Sequence, residues 1–242
     1  MAWTTHDIPD QTGRVAVVTG GNGGLGLETV RELARKGAHV VIGARNLDKA
    51  AEAEADVRAE IPDASLEVQQ LDLGALASVR AFASRVLDAH RAIDLLYNNA
   101  GIMATPERTT EDGFEAQFGV DHLGHFELTR LLLPALHRAG PARVVTTTST
   151  ARFTAGPYDL SDPHHRSRRY DPWEAYGYAK LANLQFTLEL DRRLRAAGSR
   201  VAALAADPGF SHTDLQQTTA KELPGASLRW AATLVRWTGQ SP

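Results

Sequence analysis

Apolar residues along this chain fall into two alternating patterns. Short strand-like runs, many of them β-branched, occur at 14–19, 38–42, 66–71, 93–97, 143–148 and 200–205, and the first is continuously apolar until it stops at glycines. Such runs read as strands buried on both faces, as in parallel sheets. Between them lie longer stretches with helical spacing, at 25–36, 47–60, 75–90, 111–136 and 173–197. In the first of these, Leu25, Val30, Leu33 and Ala34 share a face and Gly37 marks the stop. Strand and helix in alternation with short links predict parallel strands joined by crossover helices. The expected fold class is α/β, a doubly wound parallel sheet in three α/β/α layers, with ligands bound beyond the carboxyl ends of its strands.

Two polar segments break the rhythm. Residues 151–171 carry the basic stretch His164-His165-Arg166-Ser167-Arg168-Arg169, and residues 210–224 form a second polar loop. Both follow strands, so both overhang the same sheet edge. The basic stretch reads as a solvated flap, and its two histidines as an exposed pair. Phe153, Tyr158, Trp173, Phe210 and Leu215 lie in or beside these loops. They point to an apolar pocket and a lipophilic substrate.

Composition narrows the function. At 242 residues, with 43% hydrophobic and 23% charged side chains, the chain has the makeup of a globular protein and the length of one domain spanning 1–242. A net charge of −3 gives no bulk basic surface for nucleic acid. The absence of cysteine excludes disulfides, thiol catalysis and cysteine-ligated metal. No apolar run reaches the roughly 18–20 residues of a membrane span. The first ten residues are polar and lack a signal-peptide core. The expected location is cytoplasmic. His122 and His125 stand three residues apart without a third ligand at convincing spacing, so packing or capping is expected and no metal.

The turn Thr19-Gly20-Gly21-Asn22-Gly23-Gly24-Leu25-Gly26 joins the first strand to the first helix. There it presents backbone N–H groups and a helix N-terminus to an anion, which is the setting of a dinucleotide pyrophosphate. Its surplus glycine fits two spacings, Gly20/Gly24/Gly26 or Gly20/Gly23/Gly26. After the second strand, where NAD-binding units usually carry an acidic residue for the ribose hydroxyls, this chain has Ala44 and then Arg45. An arginine there pairs with a 2′-phosphate, so NADP(H) is expected ahead of NAD(H). Asp72 follows the third strand, placed either to meet the adenine amino group or to cap the next helix.

Tyr176 and Lys180 stand four apart on one helix face. A tyrosine of pKa about 10 is a poor proton shuttle near neutrality, and a nearby ammonium favours its phenolate. Ser149 closes the run Thr146-Thr147-Thr148-Ser149 at the carboxyl end of the fifth strand, where a hydroxyl reaches a substrate carbonyl.

Taken together these residues resemble the short-chain dehydrogenase/reductase family over nearly the whole chain. The resemblance rests on Thr19–Gly26, on Asn98-Asn99-Ala100-Gly101, on Ser149, on Tyr-x-x-x-Lys at Tyr176 and Lys180, and on Pro208-Gly209 with Thr213. Val120-Asp121-His122-Leu123-Gly124-His125-Phe126 and the surroundings of Tyr176 are similar to the retinol dehydrogenase and WW-domain oxidoreductase branch. The resemblance implies a Rossmann-type fold and selects Gly20/Gly24/Gly26. It implies hydride transfer between a nicotinamide cofactor and a carbonyl or alcohol. Tyr176 would be the acid/base, Lys180 would depress its pKa and hold the nicotinamide ribose, and Ser149 would orient the carbonyl. It carries cofactor contacts onto Gly20, Asn22, Gly24, Leu25, Gly26, Arg45, Asp72, Leu73, Asn98, Ala100, Gly101, Tyr176, Lys180, Pro208, Gly209 and Thr213. A homo-oligomer, dimer or tetramer, is implied through the long helices at 111–136 and 173–197.

Two departures stand out. The family usually has asparagine where this chain has Asp121, in a water-mediated proton path from the lysine; the aspartate there either holds the water, pairs with Lys180 and alters the tyrosine's pKa, or weakens activity. Relatives also continue for several tens of residues, so a seventh strand and a substrate cover are expected to be missing here. Both departures favour an alternative, a nucleotide-binding or interaction protein that keeps the fold with weak or no catalysis.

Overall fold

The structure, a computed structural model, describes residues 3–156 and 161–209. Tyr158, Phe210, Thr213 and Leu215, the loop 210–224 and the expectation of a missing seventh strand fall outside the described residues.

The strands are β1 (Val15–Thr19), β2 (His39–Ala44), β3 (Ser65–Gln70), β4 (Leu95–Asn98), β5 (Arg143–Thr147) and β6 (Ala202–Ala206). The helices between them are α1 (Gly24–Arg35), α2 (Leu47–Glu60), α3 (Leu76–Ala89), α4 (Ala116–Phe118), α5 (Gly124–Ala139) and α6 (Pro172–Ala196). A π-helical turn, Gly119–Leu123, joins α4 to α5, and a 3-10 segment, Thr150–Thr154, follows β5.

All described pairings between strands of the sheet are parallel, in the order β3-β2-β1-β4-β5-β6. Strand alternation sends side chains to two cores. Val17, Val41 and Leu96 join α3 and α5 on one face through Phe82, Leu128 and Leu132. Ala16, Val18, Val40 and Ile42 meet Val30 of α1 and Val57 of α2 on the other. Burial on both faces explains why the central strands β1 and β2 read as nearly unbroken apolar runs, whereas the edge strand β3 carries Glu67, Gln69 and Gln70. The chain winds outward from β1 to β3 and then returns to β4. Ligands bind where the winding reverses, beyond the carboxyl ends of β1 and β4, and Thr19 and Asn98 are the last residues of those strands.

One predicted helix needs correction. The stretch 111–136 is not helical from its start. Thr109 bridges Glu115, Thr110 N–H bonds the Phe114 carbonyl, and Gly113 takes a φ of +80°, so the chain turns back before the helix begins. Glu115 then caps α4, its carboxylate accepting from Gln117 N at 2.9 Å and Phe118 N at 2.7 Å.

The loop before α6 is a second correction. His165 is 2% exposed, not solvated. Its ring lies edge-on to Tyr170 and Tyr178, while His164 stacks on Phe114. The loop is drawn inward by Tyr170, whose hydroxyl donates to Glu115 Oε1 at 3.1 Å and accepts from Gln117 Nε2 at 2.9 Å.

Candidate active site

The phosphate-type turn is shaped by three glycines. Gly20 and Gly24 adopt φ of +66° and +51°, in the left-handed region that favours glycine. A Cβ on Gly26 would run into the Gly20 carbonyl oxygen. Gly23 is extended with open space around it, so the geometry singles out Gly20, Gly24 and Gly26. Among the described residues no side chain caps α1, which leaves its first N–H groups facing the turn. Asn22 and Leu25 are half-buried on the same turn.

This turn is tied to the loop after β4. Thr19 Oγ1 accepts from Asn99 N at 2.9 Å and Ala100 N at 3.0 Å, and Asn99 Nδ2 donates to the Thr19 carbonyl at 3.0 Å. The one proton of the Thr19 hydroxyl is directed to His125 Nε2, 2.9 Å away. His125 Nδ1–H in turn donates to the Asp121 carbonyl at 3.0 Å. The network fixes a neutral tautomer, protonated on Nδ1.

Burial pushes the His125 pKa down from 6.5 to about 3. A depressed histidine stabilises the fold above its unfolded pKa, and that stability is lost as pH falls from about 6.5 toward 3. The expected slope is about 1.4 kcal/mol per pH unit, because the unfolded ring takes a proton that the buried ring refuses. Urea unfolding between about pH 7 and pH 5 measures it. His125→Asn should remove one proton from the slope, and an unchanged slope would place the acid sensitivity elsewhere.

The catalytic candidates converge from three elements. Asp171 caps α6 by accepting from Trp173 N and Glu174 N, with Pro172 in the first turn. One turn later Tyr176 and Lys180 share a face, with Lys180 Nζ 5.3 Å from the centre of the tyrosine ring. Asp121, from the π turn, places Oδ2 2.9 Å from Lys180 Nζ, and its Oδ1 accepts from Ile102 N at 2.8 Å. Lys180 is almost wholly buried and Asp121 wholly so. Ser149, two residues beyond β5, caps the 3-10 segment and hydrogen-bonds Tyr176. The frame is completed by Asn183, which donates to the carbonyls of Asp121 and Thr147, and by Thr148, whose hydroxyl donates to the Lys180 carbonyl.

Electrostatics depart from the expectation in one respect. Burial raises the Tyr176 phenol above its usual 10. Lys180 and Ser149 pull it down, Asp121 pushes it further up, and the net shift is upward. Lys180 acts in the expected direction but does not prevail. Burial also works against the Lys180 ammonium, yet Asp121 and Tyr176 outweigh it and hold its pKa above the ordinary lysine value.

Other predicted residues fall as follows. Arg45 is exposed directly after β2. Asp72 does not cap α3; its Oδ1 accepts from Gly74 N at 2.8 Å, and Asp112 instead receives the Leu76 N–H. The Leu73 side chain lies in the core. Asn98 is turned inward, its amide donating to Thr129 and Thr146. Ala100 and Gly101 line the loop beside the ion pair, and a Cβ on Gly101 would sit 3.2 Å from Asp121 Oδ2. Pro208 and Gly209 follow β6, with Gly209 N–H donating to Asp207 Oδ1. Phe153 is 79% exposed, and the Trp173 ring stands edge-on to Tyr176 at 6.3 Å. His122 bonds Asn183 and packs among Phe118, Phe126 and Phe186, a packing role like that of His125.

Sequence reasoning did not single out Asn99 or Asn183 as framing residues. Asn99 stands within the Asn98-Asn99-Ala100-Gly101 motif, and Asn183 lies seven residues after Tyr176. Their partners, however, are main-chain atoms 80 and 62 residues away, beyond any local pattern.

Comparison with known proteins agrees with this geometry. The family model described as short chain dehydrogenase matches residues 14–160. Human retinol dehydrogenase 13 is 42% identical over 207 residues, covering 86% of this chain and 62% of that protein. Mouse polyprenol dehydrogenase is 42% identical over 234 residues, covering 95% of this chain and 68% of the relative. This chain thus spans about three-fifths of the retinol dehydrogenase 13 length. A crystal structure of an uncharacterised Mycobacterium paratuberculosis protein superposes with a TM-score of 0.78 at 48% identity, over 93% of this chain and 83% of that one. A Burkholderia phymatum short-chain dehydrogenase/reductase in complex with NAD shares the fold, with a TM-score of 0.75 at 24% identity, over 95% and 80% of the two chains. The chain belongs to the short-chain dehydrogenase family, in its retinol dehydrogenase branch.

Proposed function

We propose that this protein is an NADP(H)-dependent oxidoreductase that moves a hydride between the nicotinamide and a lipophilic carbonyl or alcohol. The observation that carries the reading is the convergence of Ser149, Tyr176 and Lys180 at the carboxyl edge of the sheet, beside a helix N-terminus that no side chain of the described residues caps. The close glycine turn and that free helix end suit a dinucleotide, held through the backbone of Gly20, Asn22, Gly24, Leu25 and Gly26. The bound cofactor supplies the redox chemistry. Ser149 orients the substrate oxygen. In reduction the Tyr176 phenol donates its proton to that oxygen, and in oxidation its phenolate takes the alcohol proton. Lys180 holds the ribose hydroxyls and favours the phenolate.

Ala44 followed by exposed Arg45 supports NADP(H) over NAD(H). Arg45→Ala should weaken NADPH binding by roughly 10- to 100-fold, the size of a lost charge-assisted hydrogen bond, and leave NADH binding nearly unchanged. Fluorescence titration with both nucleotides measures this, and equal losses for the two would remove the 2′-phosphate role. Exposed Phe153 and Trp173, beside Tyr176, support an apolar substrate, in keeping with relatives named for retinol and polyprenol. Among the described residues no helix is long and apolar enough to cross a membrane. A cytoplasmic location and a homo-oligomer complete the proposal. Exposed Phe126 on α5 and Leu188 on α6 offer the apolar contact between copies.

The Asp121–Lys180 ion pair favours a second reading, a nucleotide binder with little turnover. A panel of lipophilic aldehydes, ketones and alcohols with NADPH and NADP separates the two. Turnover supports the oxidoreductase, and tight nucleotide binding without turnover supports the binder.

A further inference from the structure

The far end of the sheet carries a cluster that the catalytic reading does not use. His39 opens β2, Glu67 lies in β3, and His90 follows the last turn of α3. In the parallel register His39 pairs with Ser65 and Val41 with Glu67, so strand alternation puts His39 and Glu67 on one sheet face. That face is the one α3 covers, and the end of α3 brings His90 to the same point. Glu67 Oε2 lies 3.4 Å from His39 Nε2 and 3.1 Å from His90 Nε2. One ligand atom from each residue lies within 4.8 Å of the other two.

Zinc bound tetrahedrally through nitrogen and oxygen at about 2.0–2.2 Å separates its ligand atoms by roughly 3.3–3.5 Å. The two nitrogen–oxygen distances already approach that edge length. The side chains are also oriented from behind. Ser65 Oγ lies 2.8 Å from His39 Nδ1, which leaves Nε2 as the presented nitrogen. Gln69 Nε2 donates to Glu67 Oε1 at 2.6 Å and fixes the carboxylate, while Arg85 holds Gln69 in turn. The three ligand side chains are partly exposed, between 14% and 34%, so a fourth ligand comes from water.

We propose that His39, Glu67 and His90 form a binding site for a divalent transition metal, zinc in the first instance. The site lies at the amino end of the strands, whereas Tyr176 stands at the carboxyl end, so the metal takes no part in hydride transfer. It would fasten β3, the edge strand, to β2 and to the end of α3.

The test is calorimetric titration of the full chain, first freed of metal with EDTA and dialysed, with zinc sulfate. One equivalent is expected to bind. His39→Ala, His90→Ala and Glu67→Gln should each weaken binding at least about tenfold. His137→Ala, at a surface histidine away from the cluster, should not. Dehydrogenase turnover should be the same with and without zinc. No uptake by the wild-type chain, or uptake unchanged in all three variants, would overturn the site. Should the alanine variants fail to fold, histidine ring NMR of the wild-type chain decides. Zinc must perturb His39 and His90 before any other histidine, and perturbation of others first overturns the proposal.

Discussion

Tyr176→Phe is expected to lower turnover by about 10²- to 10⁴-fold, the usual worth of a positioned acid/base, with nucleotide affinity largely kept. The variant keeps the ring that packs edge-on to Trp173 and lies beside Lys180 Nζ. It removes only the hydroxyl, and with it the bond to Ser149 and the transferable proton. Nucleotide contacts assigned to the glycine turn and Arg45 are untouched. Steady-state rates on an active aldehyde, together with NADPH titration of the same preparation, give both numbers. Undiminished turnover would sink the tyrosine mechanism, whereas loss of turnover and binding together would point to a collapsed cleft.

The second large effect belongs to Asp121, where charge and shape separate cleanly. Asp121→Ala leaves the buried Lys180 ammonium without its partner and orphans the Ile102 N–H. Breaking a buried pair from one side typically costs about 3–5 kcal/mol, a large part of a domain's stability. Urea unfolding should show that loss as a lower midpoint. Asp121→Asn keeps the shape and still offers an acceptor to Ile102, so its stability cost should be smaller.

The asparagine variant also isolates the charge. Asp121 now pushes the Tyr176 phenol upward, against Lys180. With that negative charge gone, only burial and the Asp207 charge still oppose the ammonium, and the phenol pKa falls. Alcohol oxidation needs the phenolate, so its rate rises with pH up to the tyrosine pKa. The rising limb of the oxidation profile should therefore move to lower pH in Asp121→Asn. A limb that stays in place, or moves upward because Lys180 itself has lost its proton, would show that Asp121 does not act on Tyr176 as a simple opposing charge.

Much of this architecture was legible in the sequence, for a physical reason. Strands buried on both faces must be apolar throughout, so runs such as Val15 to Thr19 announce themselves. Candidate pairs that depend on local spacing are equally visible, which is why Tyr176 and Lys180 emerged from a single helix turn. Legibility failed where local and distant preferences compete. The stretch before Ala116 has helical composition, yet the Thr109–Glu115 bridge and the turn at Gly113 override it. The stretch from His164 to Arg169 is polar enough to read as solvent-exposed. His165 is nonetheless buried, because Tyr170 anchors the loop to Glu115 and Gln117, more than fifty residues earlier. The expected sign of the Tyr176 shift failed because its burial, the largest cause, is not visible in spacing, whereas the pairing of Asp121 with Lys180 was within reach of the sequence.

The bonds that frame the site share a grammar. Asn183 and His125 both address the carbonyl of residue 121 rather than its side chain. Thr148 addresses the carbonyl of Lys180, and Asn99 that of Thr19. The main-chain anchors at residue 121 do not depend on its charge, provided its side chain keeps an acceptor for the Ile102 N–H. Position 121 can thus trade a neutral amide for a carboxylate without loosening the loops around it. Evolution is free to retune the charge beside the tyrosine, by a single substitution, while the frame that aims it stays constant.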